Sequence, residues 1–181
     1  DFNMKKILVI DDDVLVLRAI SKLLTMNNYN VTEAKSGEEA AGILSSADFD
    51  LIVSDIRMAG MDGIQLVERL RSSGKNTPVI FVTGYASENA PVEAYRLEVK
   101  DYVLKPFDKD DLLRKVEKNL ALREAEFAKK GDLCRTVRGL VRDFEKNNSM
   151  NIYENENLKK FISELNAALF AEEKEQAKKY E

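Results

Sequence analysis

The stretch Ile7-Leu8-Val9-Ile10-Asp11-Asp12-Asp13 decides how this chain is read. Four apolar residues in a row, three of them β-branched, make a strand that is apolar on both faces. Such strands belong inside a parallel sheet. Three aspartates close it. Downstream the alternation repeats. Val14, Leu17, Ile20, Leu23 and Leu24 recur at helical spacing. Residues 29–34 read as a weaker second strand, residues 38–44 as a short helix, and Leu51-Ile52-Val53 as a third strand ending at Asp55. Asp62 is placed to N-cap a helix carrying Ile64, Leu66, Val67 and Leu70, which ends near Gly74. Residues 78–82 form a fourth strand, and residues 91–97 a helix with Pro91 in its tolerated first turn. Tyr102-Val103-Leu104 is a short fifth strand stopped by Lys105-Pro106, and Asp108 caps a helix through Leu112, Leu113, Val116 and Leu120. Five strands alternating with five helices predict an α/β fold, a doubly wound five-stranded parallel sheet with right-handed crossovers.

Composition narrows the function classes. The 181 residues carry 28 Lys+Arg against 32 Asp+Glu, a net charge of −4, which argues against nonspecific nucleic-acid binding. The chain has no His, so His-based triads, a histidine phosphodonor of its own and the commonest metal ligand are all excluded. A single Cys, Cys134, makes neither an internal disulfide nor a Cys-based zinc site, and points to a reducing, cytoplasmic compartment. No apolar run approaches the ~18 residues of a membrane span, and no signal peptide opens the chain. Met4-Lys5-Lys6 reads as a start, and residues 1–3 are set aside in the fold reasoning. Residues 126–181 read as a C-terminal α-helical extension of two helices. One carries Leu133, Val137, Leu140, Val141 and Phe144; after a break at Asn147-Asn148-Ser149, the other carries Leu158, Phe161, Ile162, Leu165 and Leu169. Gly131 is expected to interrupt the path into it, and Cys134, on the first stripe, to be buried. Nine Lys/Arg against ten Asp/Glu in residues 131–181 lack the basic footprint of a DNA-binding helical pair.

In open parallel sheets, ligands sit outside the carboxyl ends of the strands. Here those ends carry Asp11-Asp12-Asp13, Asp55, Thr83-Gly84 and Lys105-Pro106. Taken singly, a strand-end aspartate often only caps the next helix, and a lysine before Pro is often only solvated. Converging carboxylates, however, repel one another unless a cation sits among them. Carboxylate oxygens without His or Cys select Mg²⁺ or a similar hard ion such as Mn²⁺. A lysine and a threonine hydroxyl beside such an ion suit a phosphoryl group, held mainly by positioning and electrostatics. A carboxylate can itself serve as nucleophile, giving an aspartyl-phosphate.

These residues resemble the receiver domain of bacterial two-component response regulators. The resemblance rests on Ile7-Leu8-Val9-Ile10-Asp11-Asp12-Asp13, Leu51-Ile52-Val53-Ser54-Asp55-Ile56-Arg57-Met58, Met61-Asp62-Gly63, Val82-Thr83-Gly84-Tyr85-Ala86 and Asp101-Tyr102-Val103-Leu104-Lys105-Pro106-Phe107. It covers residues 4–125, about two-thirds of the chain, in order and with the family's spacing. It implies a flavodoxin-like sheet of strand order 2-1-3-4-5. It also implies roles. Asp55 matches the phosphoacceptor. Asp11 and Asp12, with Asp55 and the backbone carbonyl of Arg57, match the Mg²⁺ ligands, while Asp13 is expected to point away. Thr83 matches the switch hydroxyl, Lys105 the lysine that pairs with the phosphoryl group, and Tyr102 the aromatic that turns inward when Thr83 moves. Arg57 and Tyr85 match positions that tune phosphate lifetime. Family members take their phosphate from a phosphohistidine on a sensor histidine kinase. They are signalling proteins that catalyse only their own phosphorylation and dephosphorylation.

Phosphorylation adds roughly −1.5 to −2 charge and three acceptor oxygens. The expected consequence is a shift of the face made by the helix at 91–97, the strand at 102–104 and the helix that follows, controlling a downstream partner or self-association. A homodimer through that face or through the C-terminal helices is left open. Two departures stand out. Met58-Ala59-Gly60 lacks the family's Pro after Met, which should loosen the loop after Asp55; and Glu98 stands where the family has Gly, which puts the shape of the 97–101 turn in doubt. The alternative is a haloacid-dehalogenase-like phosphatase with Asp11 as nucleophile. It leaves Asp55 and Met61-Asp62-Gly63 unexplained, and no later apolar strand ends in the acidic pair it requires.

Overall fold

The structure is a computed structural model that describes residues 4–84, 99, 101–147, 160, 163, 164 and 167. The chain divides into two compact units, residues 1–123 and 124–181. In the first unit the elements run β1 (Lys6–Ile10), α1 (Val14–Met26), β2 (Asn30–Ala34), α2 (Gly37–Ser46), β3 (Leu51–Ser54), α3 (Gly63–Ser72), β4 (Val79–Thr83) and β5 (Asp101–Leu104). A long helix, Lys109–Asn147, follows. All strand pairs are parallel, in the order β2-β1-β3-β4-β5.

The doubly apolar strands do what their sequence requires. Leu8, Ile10, Ile52, Val79 and Phe81 face one way, into a core with Ala40, Leu44, Leu66, Val67 and Leu70 of α2 and α3. Ile7, Val9, Leu51, Val53, Ile80 and Val82 face the other, against Leu17, Ile20 and Leu24 of α1 and Leu112, Val116 and Leu120 of the long helix. Each fully buried aliphatic contributes about 1.5–3 kcal/mol of transfer free energy, so both layers hold the sheet in register.

Two helix starts follow the predicted caps at Asp62 and Asp108, and Asp13 caps α1 as well. Asp13 Oδ1 accepts the N–H groups of Leu15 (2.9 Å) and Val16 (3.4 Å). Asp62 Oδ1 accepts from the Gln65 N–H at 2.8 Å, and the Gln65 side chain accepts the Asp62 N–H in return, a reciprocal capping box. Asp108 Oδ1 accepts from the N–H groups of Asp110 and Asp111.

One expectation is corrected. Gly131 does not interrupt the chain; it lies inside the helix Lys109–Asn147. A glycine inside a helix is unfavourable by only about 1 kcal/mol, and the good helix formers on its N-terminal side, Glu124-Ala125-Glu126-Phe127-Ala128-Lys129-Lys130, offset it. The helix is described as far as Asn147, and Asn148-Ser149 of the expected break lie outside the described residues. The predicted helix at 91–97 and the 97–98 part of the turn before β5 lie outside the described residues, as do the side chain of Cys134 and most of the stripe from Leu158 to Leu169. Among the described residues, no helix is long and apolar enough to cross a membrane.

Candidate functional site

Parallel pairing brings the carboxyl ends of β1, β3, β4 and β5 to one rim. Ile10 lies beside Ser54, and Thr83 beside Leu104. The residues one step beyond, Asp11, Asp55 and Lys105, therefore meet although up to 94 positions separate them. The Lys105 N–H donates to the Thr83 carbonyl at 2.9 Å, which carries the β4–β5 ladder one residue past the strand and sets the lysine's root.

Lys105 Nζ donates to Asp11 Oδ2 and to Asp55 Oδ2, each at 2.6 Å. The remaining oxygens are also engaged. Asp11 Oδ1 accepts the Asp13 N–H at 2.9 Å, and Asp55 Oδ1 the Arg57 N–H at 3.1 Å. Asp12 is exposed, and its Oδ2 lies 3.4 Å from the Ala59 N–H. One oxygen from each of Asp11, Asp12 and Asp55 falls within 4.8 Å of the others, a set that could hold a metal ion. One ammonium against three carboxylates leaves an excess of negative charge in a partly dry notch, and an all-oxygen donor set of this kind fits Mg²⁺.

Burial sets the electrostatics. Asp11 is fully buried, and loss of water pushes its carboxyl above the usual range, against the opposing pull of Lys105. For Lys105, burial favours the neutral amine, but the hydrogen bonds to Asp11 and Asp55 outweigh it and raise its pKa. Thr83, 1 % exposed, ends β4, with its backbone carbonyl bonded to the Lys105 N–H. Tyr102 is half-buried and packs against the α2–α3 core. Burial, and then the charge on Asp55, raise its phenol above the usual value. The backbone carbonyl of Tyr102 accepts from Lys115 Nζ at 2.8 Å.

The structure thus brings together Asp11, Asp12, Asp55, Lys105 and Thr83, with the Arg57 backbone bound to Asp55 and Tyr102 within its field. Asp13 is turned to the start of α1. Tyr85 lies outside the described residues. The loop after Asp55, expected to be loosened by the missing Pro, is tied by hydrogen bonds from Ala59 to Asp12 and from Met61 to Glu38, and Ala59 supplies an N–H that a Pro would lack. Sequence reasoning missed Glu38 and Lys115. Both act on backbone atoms far along the chain, so no side-chain pattern announces them.

The family described as the response regulator receiver domain matches residues 7–117. The chain belongs to that family. The transcriptional regulatory protein ZraR of Escherichia coli K12 is 39 % identical over 115 residues, covering 64 % of this chain and 26 % of ZraR. The chain therefore spans about a quarter of that relative's length. Among solved structures, a CheY-like receiver domain protein from Methanospirillum hungatei aligns with a TM-score of 0.66 and 31 % identity, covering 68 % of this chain and 98 % of that one. The response regulator TrrA of Thermotoga maritima, solved in complex with Mg(2+)-BeF, aligns with a TM-score of 0.59 and 31 % identity over 64 % of this chain and 99 % of that one. The phosphatase alternative finds no support among these relatives.

Proposed function

We propose that this receiver accepts a phosphoryl group on Asp55 from the phosphohistidine of a sensor histidine kinase, with Mg²⁺ (or Mn²⁺) held by Asp11, Asp12, Asp55 and the Arg57 carbonyl. An Asp55 oxygen attacks phosphorus as the P–N bond breaks, and the departing imidazole nitrogen takes a proton from solvent. The divalent ion supplies charge neutralisation for the oxygens of the transferring group. Lys105 releases its bond to Asp55 Oδ2 and turns to a phosphoryl oxygen. Thr83 donates its hydroxyl to another, the end of β4 repacks, and Tyr102 moves inward. Arg57 and Tyr85 tune how long the phosphate survives.

One arrangement carries this reading: a lysine shared by two carboxylates from different strands, at 2.6 Å each, with a buried threonine at the strand between its own and theirs. No helix cap or ordinary surface ion pair requires that geometry. The chain acts as a signalling switch rather than an enzyme on other substrates. Residues 4–125 form the receiver, and residues 126–181 a helical extension. The output is control of a downstream protein or self-association through the surface around β5 and the helix after it, in the cytoplasm; a direct hold on DNA does not suit the extension's charge. The test is to mix the chain with acetyl phosphate and Mg²⁺. A hydroxylamine-labile phosphoryl adduct should form on Asp55 and be absent from Asp55→Asn. An adduct elsewhere, or none, overturns the reading.

A further inference from the structure

The loop from Asp55 to Gly63 carries the Arg57 backbone and touches Asp12, so its shape sets part of the metal site. Its ends are fixed internally. The Gly63 N–H donates to the Ile56 carbonyl at 2.9 Å, and a Cβ on Gly63 would lie 2.2 Å from the Asp55 carbonyl oxygen. Its middle is fixed from outside. Glu38, in the first turn of α2, accepts the Met61 N–H on Oε1 at 2.7 Å across 23 residues of sequence. Gly60, at φ +77°, curls around the same carboxylate so closely that a Cβ would come within 2.4 Å of Oε1. Beside it, Gly37 lets the backbone of α2 meet the Met61 carbonyl, where a Cβ would lie at 2.2 Å. The Met61 N–H, first among several donors, holds the Glu38 carboxyl below its ordinary range. The helix start favours the same negative charge. Glu38 is exposed, so neither packing nor burial accounts for so close a fit.

We propose that Glu38 is a positioning residue for the acidic notch: from α2 it pins the loop at Met61 and Gly60, and so holds Asp12 and the Arg57 backbone ready for the divalent cation. This rests on the reading of the notch as a Mg²⁺ site. A neighbouring residue provides the control. Glu39, one position on, also bonds a backbone N–H, that of Lys35 at 2.7 Å, and carries the same charge, but it bonds no residue of the 55–63 loop.

The test uses the full chain and Mg²⁺ alone, by titration calorimetry, with hydrogen exchange of the Met61 amide followed without metal. Glu38→Ala should weaken Mg²⁺ binding about tenfold, the low end of the effect of removing a group that orients metal ligands. It should also speed exchange at Met61. Glu38→Gln keeps an acceptor oxygen and should stay within about threefold of the parent, and Glu39→Ala within about twofold. If Glu38→Ala binds Mg²⁺ as the parent does, or Glu39→Ala loses as much, the positioning role is wrong while the phosphoacceptor reading stands. If the parent itself binds no Mg²⁺, both fall.

Discussion

The two ends of the sheet use charge in opposite ways. At the amino end, the Asp50 N–H donates to the Lys6 carbonyl, the Asp50 carboxylate accepts the Lys6 N–H, and Arg123 donates to the carbonyls of Phe49 and Asp50 at 3.0 and 2.8 Å. Each of these bonds ends on a backbone atom. At the carboxyl end, three carboxylates cluster, two of them share one lysine, and its short contacts run from side chain to side chain. The first arrangement closes off strand ends and loop carbonyls that folding would otherwise leave exposed. The second concentrates negative charge that folding alone would have no reason to gather. A comparison of the two ends separates residues that hold the protein together from residues that wait for something to arrive.

Five substitutions test that contrast. Asp55→Asn should abolish phosphoryl uptake from acetyl phosphate, read by mass spectrometry, while the protein stays folded; uptake by the variant would end the functional distinction between the ends. At the opposite end, Arg123→Ala should lower stability in urea by about 2 kcal/mol, since hydrogen bonds to a charged donor are lost, without changing Mg²⁺ affinity. Asp11→Asn should do the reverse. It removes a buried charge that the fold holds against its preference, so the metal-free protein should gain about 1 kcal/mol while metal binding weakens severely. A metal-free variant less stable than its parent would mean the notch is a net source of stability after all.

The smallest effect is in alkali. The pKa of Lys105 is raised from its ordinary 10.5, so its contribution is complete below that pH and fades as pH climbs through the higher folded value. Tyr102, raised from 10.0, also binds its proton more tightly in the folded state and acts in the same direction over nearly the same window. Melting temperature should therefore decline more steeply above about pH 10 in the parent than in Lys105→Met or Tyr102→Phe, each of which should remove part of the slope. Equal slopes in all three would show that neither group's proton binding changes on folding.

What could be read from the sequence follows from which atoms do the work. The strands were legible because Ile7–Ile10 and Leu51–Val53 must be covered on both faces, and the caps because Asp62 and Asp108 each precede a helical stripe. The rim residues were legible because parallel connectivity sends every strand end to the same edge. Glu38, Lys115 and Arg123 were not, because their partners are the backbone atoms of Met61, Tyr102, Phe49 and Asp50, which look alike at every position. Gly131 misled because a residue that often ends helices is tolerated within a long run of good helix formers.

The placement of the Lys105 ammonium has a mechanical side. It joins the tips of β1 and β3 to the tip of β5, stepping over β4. Only two residues of backbone lie between that lysine and Tyr102, whose carbonyl is tethered in turn by Lys115. In the proposed switch, a change of partner by the ammonium would therefore be delivered to the outermost strand over a span too short to absorb it, so that the sheet's edge would register an event at its centre.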